Sequence, residues 1–302
     1  MKSIIKQSSK RTAFTIVELL TVMSIIVILI GLLVPALNRV RIYAKTVRQK
    51  AQFHSIEAAL ELFNSEFDGY PPSGALDPTS QPYCGAMKLC EAMMGWDLLG
   101  FHSDSVFRRD GMDATGIRKL YVSTDLASRK GPFLPLESAN AYQLKDIYGE
   151  GKTAPFLEDT FVLCDVYTRD LPGAKKIGMP ILYYKADTSG SLHLYNVNGQ
   201  ENPPLGPNDS AGNIYNYFDN QALIGLGKPW MISGTGTPAE QHILYEYKRF
   251  YENTKNEKIT TSPVRPYRAD SYILISAGYD GEYGTADDIC NFDWKYRDLI
   301  QN

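Results

Sequence analysis

The sequence predicts an α+β fold, a long N-terminal helix packed on an antiparallel β-sheet domain that carries large insertions. Three observations point there. No charge occurs from Leu19 to Leu37, a stretch of about 19 residues and long enough to cross a bilayer as a helix. An amphipathic stripe then carries the helix on toward Phe67. Beyond it lie short runs rich in β-branched and aromatic residues, separated by turn formers, as in antiparallel sheets.

Composition sets broad limits. The chain has 302 residues, 44% of them hydrophobic and 22% charged, with net charge -3. These are globular values, and the length fits one large or two small domains. Nothing in the charge balance points to nucleic acid, which needs a basic patch. The 20 tyrosines read as a β-rich, half-buried surface.

The first element is the helix over 14–67, with 14–37 as its transmembrane part. Lys2, Lys6, Lys10 and Arg11 precede it without an acid, as in a secretory signal peptide. The apolar run is too long for that, no clean A-x-A site follows, and Glu18 stands at its leading edge. The first cysteine is Cys84, so a lipoprotein signal is excluded. An uncleaved signal anchor and a more specialised segment remain. Orientation is undecided by charge, because Arg39, Arg41, Lys45, Arg48 and Lys50 follow the run and offset the leading cations. A carboxylate at the centre of a membrane helix costs about 2.5–3.5 kcal/mol, less near the interface. Glu18 therefore needs a role, either capping the first turn or pairing with a cation.

"KRTAFTIVELL" with Pro35 downstream resembles the type IV prepilin leader. The resemblance implies a leader of residues 1–13, cut by a prepilin peptidase between Ala13 and Phe14, with methylation of the new amine. The family usually has Gly where this chain has Ala13. Glu18 then follows the new N-terminus by four residues, and Pro35 matches a helix-bending proline. An α-amine with a reference pKa near 7.7–8.0 is mostly cationic, and in a filament it can meet Glu18 of a neighbouring subunit. A single buried polar pairing of this kind fixes register. Filament assembly is thus assigned to Phe14, Glu18 and Pro35. The implied partners are other pilin or pseudopilin subunits, the prepilin peptidase, an inner-membrane assembly platform and membrane lipid. The implied location is the bacterial inner membrane, crossed once, with the C-terminal domain in the periplasm.

Past Pro35 the stripe runs through Val40, Ala44, Val47, Ala51, Ala59, Leu60, Phe63 and Phe67, mostly at three- and four-residue steps. Gly69 is the expected stop, with Pro71 beyond. Residues 68–302 form the extracytoplasmic domain, with insertions near 76–155 and 198–262. In the first insertion, "CGAMKLCEAMMGWDLLGF" and "NAYQLKDIYG" are expected as short helices. Strands are expected over Thr160–Tyr167, Pro180–Ala186, Ser191–Val197 and Ser271–Ala277, a helix over Pro238–Lys255, and a long loop at "NGQENPPLGPNDSAGN".

The second motif is "SAGYDGEYGTADDICNF" (Ser276–Phe292), where Asp280, Asp287 and Asp288 enter a Gly-rich turn. Carboxylate and carbonyl oxygens in a flexible loop are the ligands calcium takes, although the spacing is not that of an EF-hand. A solvated hairpin rich in Asp and Gly is the plainer reading. The stretch resembles the calcium loop near the C-terminus of type II secretion major pseudopilins. That resemblance implies Asp280, Asp287 and Asp288 as metal ligands, with carbonyls around Ala277 and Tyr279 completing the shell. It extends weakly to "FNSEFDGYPPSG" and "GMPILYYKAD". The chain is longer than that family, by the two insertions.

Four cysteines, Cys84, Cys90, Cys164 and Cys290, allow three pairings. The sequence does not choose among them; Cys84–Cys90, closing a short loop, is the one favoured. No hydrolase or phosphate-loop motif occurs, and His54, His102, His193 and His242 are scattered. The expected function is structural, a subunit of a type II secretion pseudopilus. A type IV pilus or minor pilin-like subunit is the alternative, and a static signal-anchored binding or enzymatic domain of the envelope is the contrasting class.

Overall fold

The computed structural model describes residues 15–170, 176–194, 212–231, 247–259 and 263–293. Its contacts divide the chain into two units, Met1–Ala44 and Lys45–Asn302. The fold is α+β, with one long apolar N-terminal helix and small antiparallel sheets.

Helix α1 spans Ile16–Phe67 and is helical on both sides of Pro35. In the first unit every described residue is exposed, from Thr15 to Ala44. This is the helix long and apolar enough to cross a membrane among the described residues, and it fits a membrane anchor or a signal sequence. In the second unit α1 turns amphipathic. Its buried face is Gln49, Gln52, Phe53, Ile56, Ala59, Leu60 and Phe63, at the three- and four-residue steps of one helix side. The expected stripe matches at Ala59, Leu60 and Phe63, with Phe67 packed on the core. Its earlier members, Val40, Ala44, Val47 and Ala51, are exposed instead. Two glutamines take over where hydrophobes were expected. The helix stops at Asp68, which adopts the left-handed conformation (φ 55°), rather than at Gly69. Asp tolerates that region better than most non-glycine residues.

Helix α2 (Gly85–Met94) lies in what reads as an insertion, yet all ten residues are buried. It packs on the strands β4 (Phe161–Leu163) and β7 (Leu182–Lys185). Only glycine allows this approach at position 85, because a Cβ there would stand 2.3 Å from the Tyr183 carbonyl oxygen. Asn220 locks the junction. Its Nδ2 donates to the Tyr183 carbonyl (2.8 Å), and its Oδ1 accepts the Ala86 amide (2.9 Å).

The remaining elements are short. Strand β1 (Phe101–His102) pairs with β2 (Arg129–Lys130), and β3 (Ala141–Gln143) with β4. Helices α3 (Leu136–Ala139) and α4 (Leu144–Tyr148) flank β3, so "NAYQLKDIYG" begins as strand before turning helical. Strand β5 (Arg169–Asp170) pairs with β6 (Lys176–Ile177). Helices α5 (Phe218–Ile224) and α6 (Tyr247–Thr254) follow. The main sheet is antiparallel, in the order β7, β8 (Tyr272–Ser276), β9 (Ile289–Cys290). Its register sets Leu182 opposite Ile275 and Ser276 opposite Ile289. A bridge between Cys164 and Pro180 ties the β3–β4 pair to it.

Three strand expectations hold in shortened form, as β4, β7 and β8. Ser191–Leu194 forms no strand; Leu192 makes a single parallel bridge to Asn213. The rest of that run, residues 195–197, most of the long loop, and 238–246 of the expected helix lie outside the described residues. Tyrosines are more deeply placed than a half-buried surface implies: Tyr83, Tyr183, Tyr184, Tyr215, Tyr251 and Tyr272 are fully buried.

All four cysteines are free. The expected Cys84–Cys90 bridge is not formed, because Cys84 caps α2 and Cys90 lies within it. Six steps along the helix separate their Cα atoms by about 9–10 Å, beyond the roughly 7 Å a disulfide spans.

Candidate functional site

The residues to which the sequence reading assigns chemistry lie in two places. The first is the start of α1. Ala13 and Phe14 lie outside the described residues. Glu18 reaches back to Thr15, accepting from its amide (2.8 Å) and its hydroxyl (2.8 Å), while the Glu18 amide donates to the Thr15 hydroxyl oxygen (3.3 Å). This is a reciprocal capping box, Thr at the cap and Glu three residues on. It satisfies donors that a helix start leaves open. The capping role weighed for Glu18 is therefore realised within this chain. Thr15 follows the expected cut, so a chain cut there would keep both partners of the cap.

The second place is the loop 277–288 joining β8 to β9. Gly278 takes a left-handed conformation (φ 64°), and a Cβ there would fall 2.2 Å from the Asp287 carbonyl oxygen. The carboxylates organise the loop's own amides. Asp280 Oδ1 accepts from Glu282 N (2.8 Å), Asp287 Oδ2 from Asp280 N (2.9 Å), and Asp288 Oδ2 from Gly284 N (2.7 Å). The Thr285 hydroxyl donates to Asp287 Oδ1 (2.7 Å). Burial raises the pKa of Asp280, and repulsion from Asp287 adds to it. Asp288 is buried and held well above the ordinary carboxylate range, chiefly by that burial.

The structure thus brings Asp280 and Asp287 together around Thr285 and sets Asp288 behind them on the Gly284 amide. Among the described residues, no group of three or more His, Cys, Asp or Glu side chains is placed to hold a metal ion. The donors present are all oxygens, which is the set calcium prefers. Asp280, Asp287 and Asp288 would hold such an ion only with the loop's carboxylates turned from the amides they now accept. The Tyr279 carbonyl, near which a ligand is expected, accepts from the Arg169 guanidinium.

No family model, curated protein or solved structure matches this chain.

What the sequence did not disclose is a clamp on the outside of this loop. Arg169 lies over the rings of Trp230 (5.0 Å) and Tyr279 (5.4 Å). Trp230 covers Gly281, where a Cβ would stand 2.3 Å from the indole. Lys228 pairs with Glu282 (2.5 Å), and Arg249 donates to the Gly284 carbonyl (3.2 Å). Lys228, Trp230 and Arg249 all come from the second expected insertion. Their spacing carries no pattern, so only tertiary placement reveals them.

Proposed function

We propose that the chain is a pilin-like structural subunit, of the type II secretion pseudopilus kind. It is cut between Ala13 and Phe14, methylated, and assembled through α1 at the bacterial inner membrane with residues 68–302 in the periplasm. A structural rather than enzymatic role follows from that reading. The observation that carries it is the joint occurrence in sequence of a basic leader and Phe14, followed by an apolar helix that holds Glu18 in its first turn and Pro35 within it. The Asp-rich loop between the last two strands supports it, and calcium is proposed there on Asp280, Asp287 and Asp288. A bound ion would neutralise the repulsion between carboxylates.

The Thr15–Glu18 capping box favours a second reading, because it gives Glu18 a role without any filament. In that reading the chain is a static, signal-anchored envelope domain. Intact-mass measurement of the protein from cells holding a prepilin peptidase separates the two. A chain beginning at N-methylated Phe14 supports the subunit, and a retained Met1 leader supports the anchor.

A further inference from the structure

A cleft of about 470 Å³ opens between the turn after α1, the end of β7 and the approach to α5. That volume is in the range of small-molecule sites. Three ionisable side chains line it: Asp219 on the buried side, and Lys185 and Asp187 nearer solvent. Asp219 accepts the Ser73 hydroxyl on Oδ2. Asp187 uses Oδ1 for the amide (3.0 Å) and hydroxyl (2.6 Å) of Ser189, so its Oδ2 is left outside the turn.

Lys185 is the anomaly. It is half-buried, and among the described residues its ammonium has no hydrogen bond or ion pair; Asp187 acts on it only through the field. The other buried lysine nearby, Lys88, is fully committed to the carbonyls of Gly74 (2.6 Å) and Leu76 (2.8 Å). Holding an ammonium partly out of water without a partner is unfavourable, and a carboxylate from outside would relieve it. Burial lowers the pKa of Lys185 and raises that of Asp219 to about 7. Perturbed groups of opposite type lining one cleft mark a binding site more often than a plain surface.

We propose that this cleft binds a small carboxylate that carries ammonium or hydroxyl donors beside its acid group, with Lys185 as the counter-ion. The donors meet Asp187 and Asp219. Two sources share that chemistry, a peptide end and a sugar acid.

The test uses the full chain in detergent micelles, with glycylglycine and glucuronate as probes, read by thermal shift and calorimetry. At about 10 mM, tenfold above the millimolar Kd a weak site gives, one of the two should raise the melting temperature and give binding heat. The probe that binds identifies the source. Lys185→Met should weaken that binding at least about tenfold and should not lower the unliganded melting temperature, since it removes an ammonium held partly out of water without a partner. Lys185→Arg should retain binding, which guards against a fold defect. Failure of both probes to bind overturns the proposal. So does equal binding by Lys185→Met, or equal binding of the amidated probes.

Discussion

Asp165 and Ser276 meet between the end of β4 and the end of β8, the Ser276 hydroxyl lying 2.8 Å from Asp165 Oδ2. Amides of Tyr167 (3.0 Å) and Met179 (3.2 Å) donate to the other oxygen. The carboxyl thus ties three segments together just ahead of the Asp-rich loop. Gly178 is required beside it, since a Cβ would sit 2.2 Å from Asp165 Oδ1.

Burial pushes the pKa of Asp165 from 3.8 to about 7, and that of Asp219 likewise. Each folded-state pKa is raised, so the stability these groups confer is complete below the unfolded value and is lost as pH rises through about 7. A shift of roughly three units is on the order of 4 kcal/mol at most. Melting temperature should therefore climb as pH falls from 8 to 5. Asp165→Asn mimics the neutral acid, keeping an oxygen for the two amides and an NH₂ for Ser276. It should flatten that climb. A wild-type melting temperature that is level or lower at pH 5 contradicts the assignment.

Gln52 donates from one nitrogen to the carbonyls of Ser138 (3.1 Å) and Cys164 (2.9 Å). Replacing it with Leu leaves two carbonyls without that donor, at a cost of about 1–3 kcal/mol. For a domain of this size the melting temperature should fall by about 2–4 °C per kcal/mol. Calorimetry showing no loss would mean that the helix is held by Phe53, Ile56 and Leu60 alone.

Gln52 also shows where the sequence stops being legible. Ala59, Leu60 and Phe63 announce the buried face of α1 by apolar spacing, but Gln49 and Gln52 continue it with polar groups that spacing cannot see. Their burial depends on carbonyls and amides more than 80 residues away. The strands β7 and β8 were readable because hydrophobic runs between turn formers fix them locally. Ser191–Leu194, which carries no β-branched residue, makes a single bridge to Asn213 and no strand. The Asp-rich loop was legible as residues, whereas its clamp by Lys228, Trp230 and Arg249 was not.

Two roles for Glu18 separate by substitution. Glu18→Ala removes the acceptor for the Thr15 amide and hydroxyl and should weaken the first turn. Glu18→Gln keeps a capping box, which accepts either residue, but removes the charge. On the filament reading both variants should insert and both should fail to assemble, scored by filament yield in cells. Normal filaments from Glu18→Gln would leave capping as the residue's whole role.

Calcium should stabilise the full chain in detergent relative to chelator. Asp280 and Asp287 face one another in the loop, and a bound divalent ion turns their repulsion into attraction. Binding confined to the folded state adds about 2.7 kcal/mol at a hundredfold excess over Kd. Magnesium should substitute poorly, because it demands strict octahedral geometry and sheds water reluctantly. Beside this stands the clamp: Arg169, Lys228 and Arg249 hold the loop through Tyr279, Glu282 and Gly284 by the chain's own contacts. The loop should therefore keep its fold in chelator, so that calcium raises the melting temperature without being needed for folding. Asp287→Asn keeps an acceptor for the Asp280 amide yet removes a charge, and should abolish the calcium response. Lys228→Met removes part of the clamp, and should lower the melting temperature in chelator while enlarging the calcium shift. Identical wild-type melting in calcium and chelator would leave the loop as a clamped hairpin and remove one support from the pseudopilin reading.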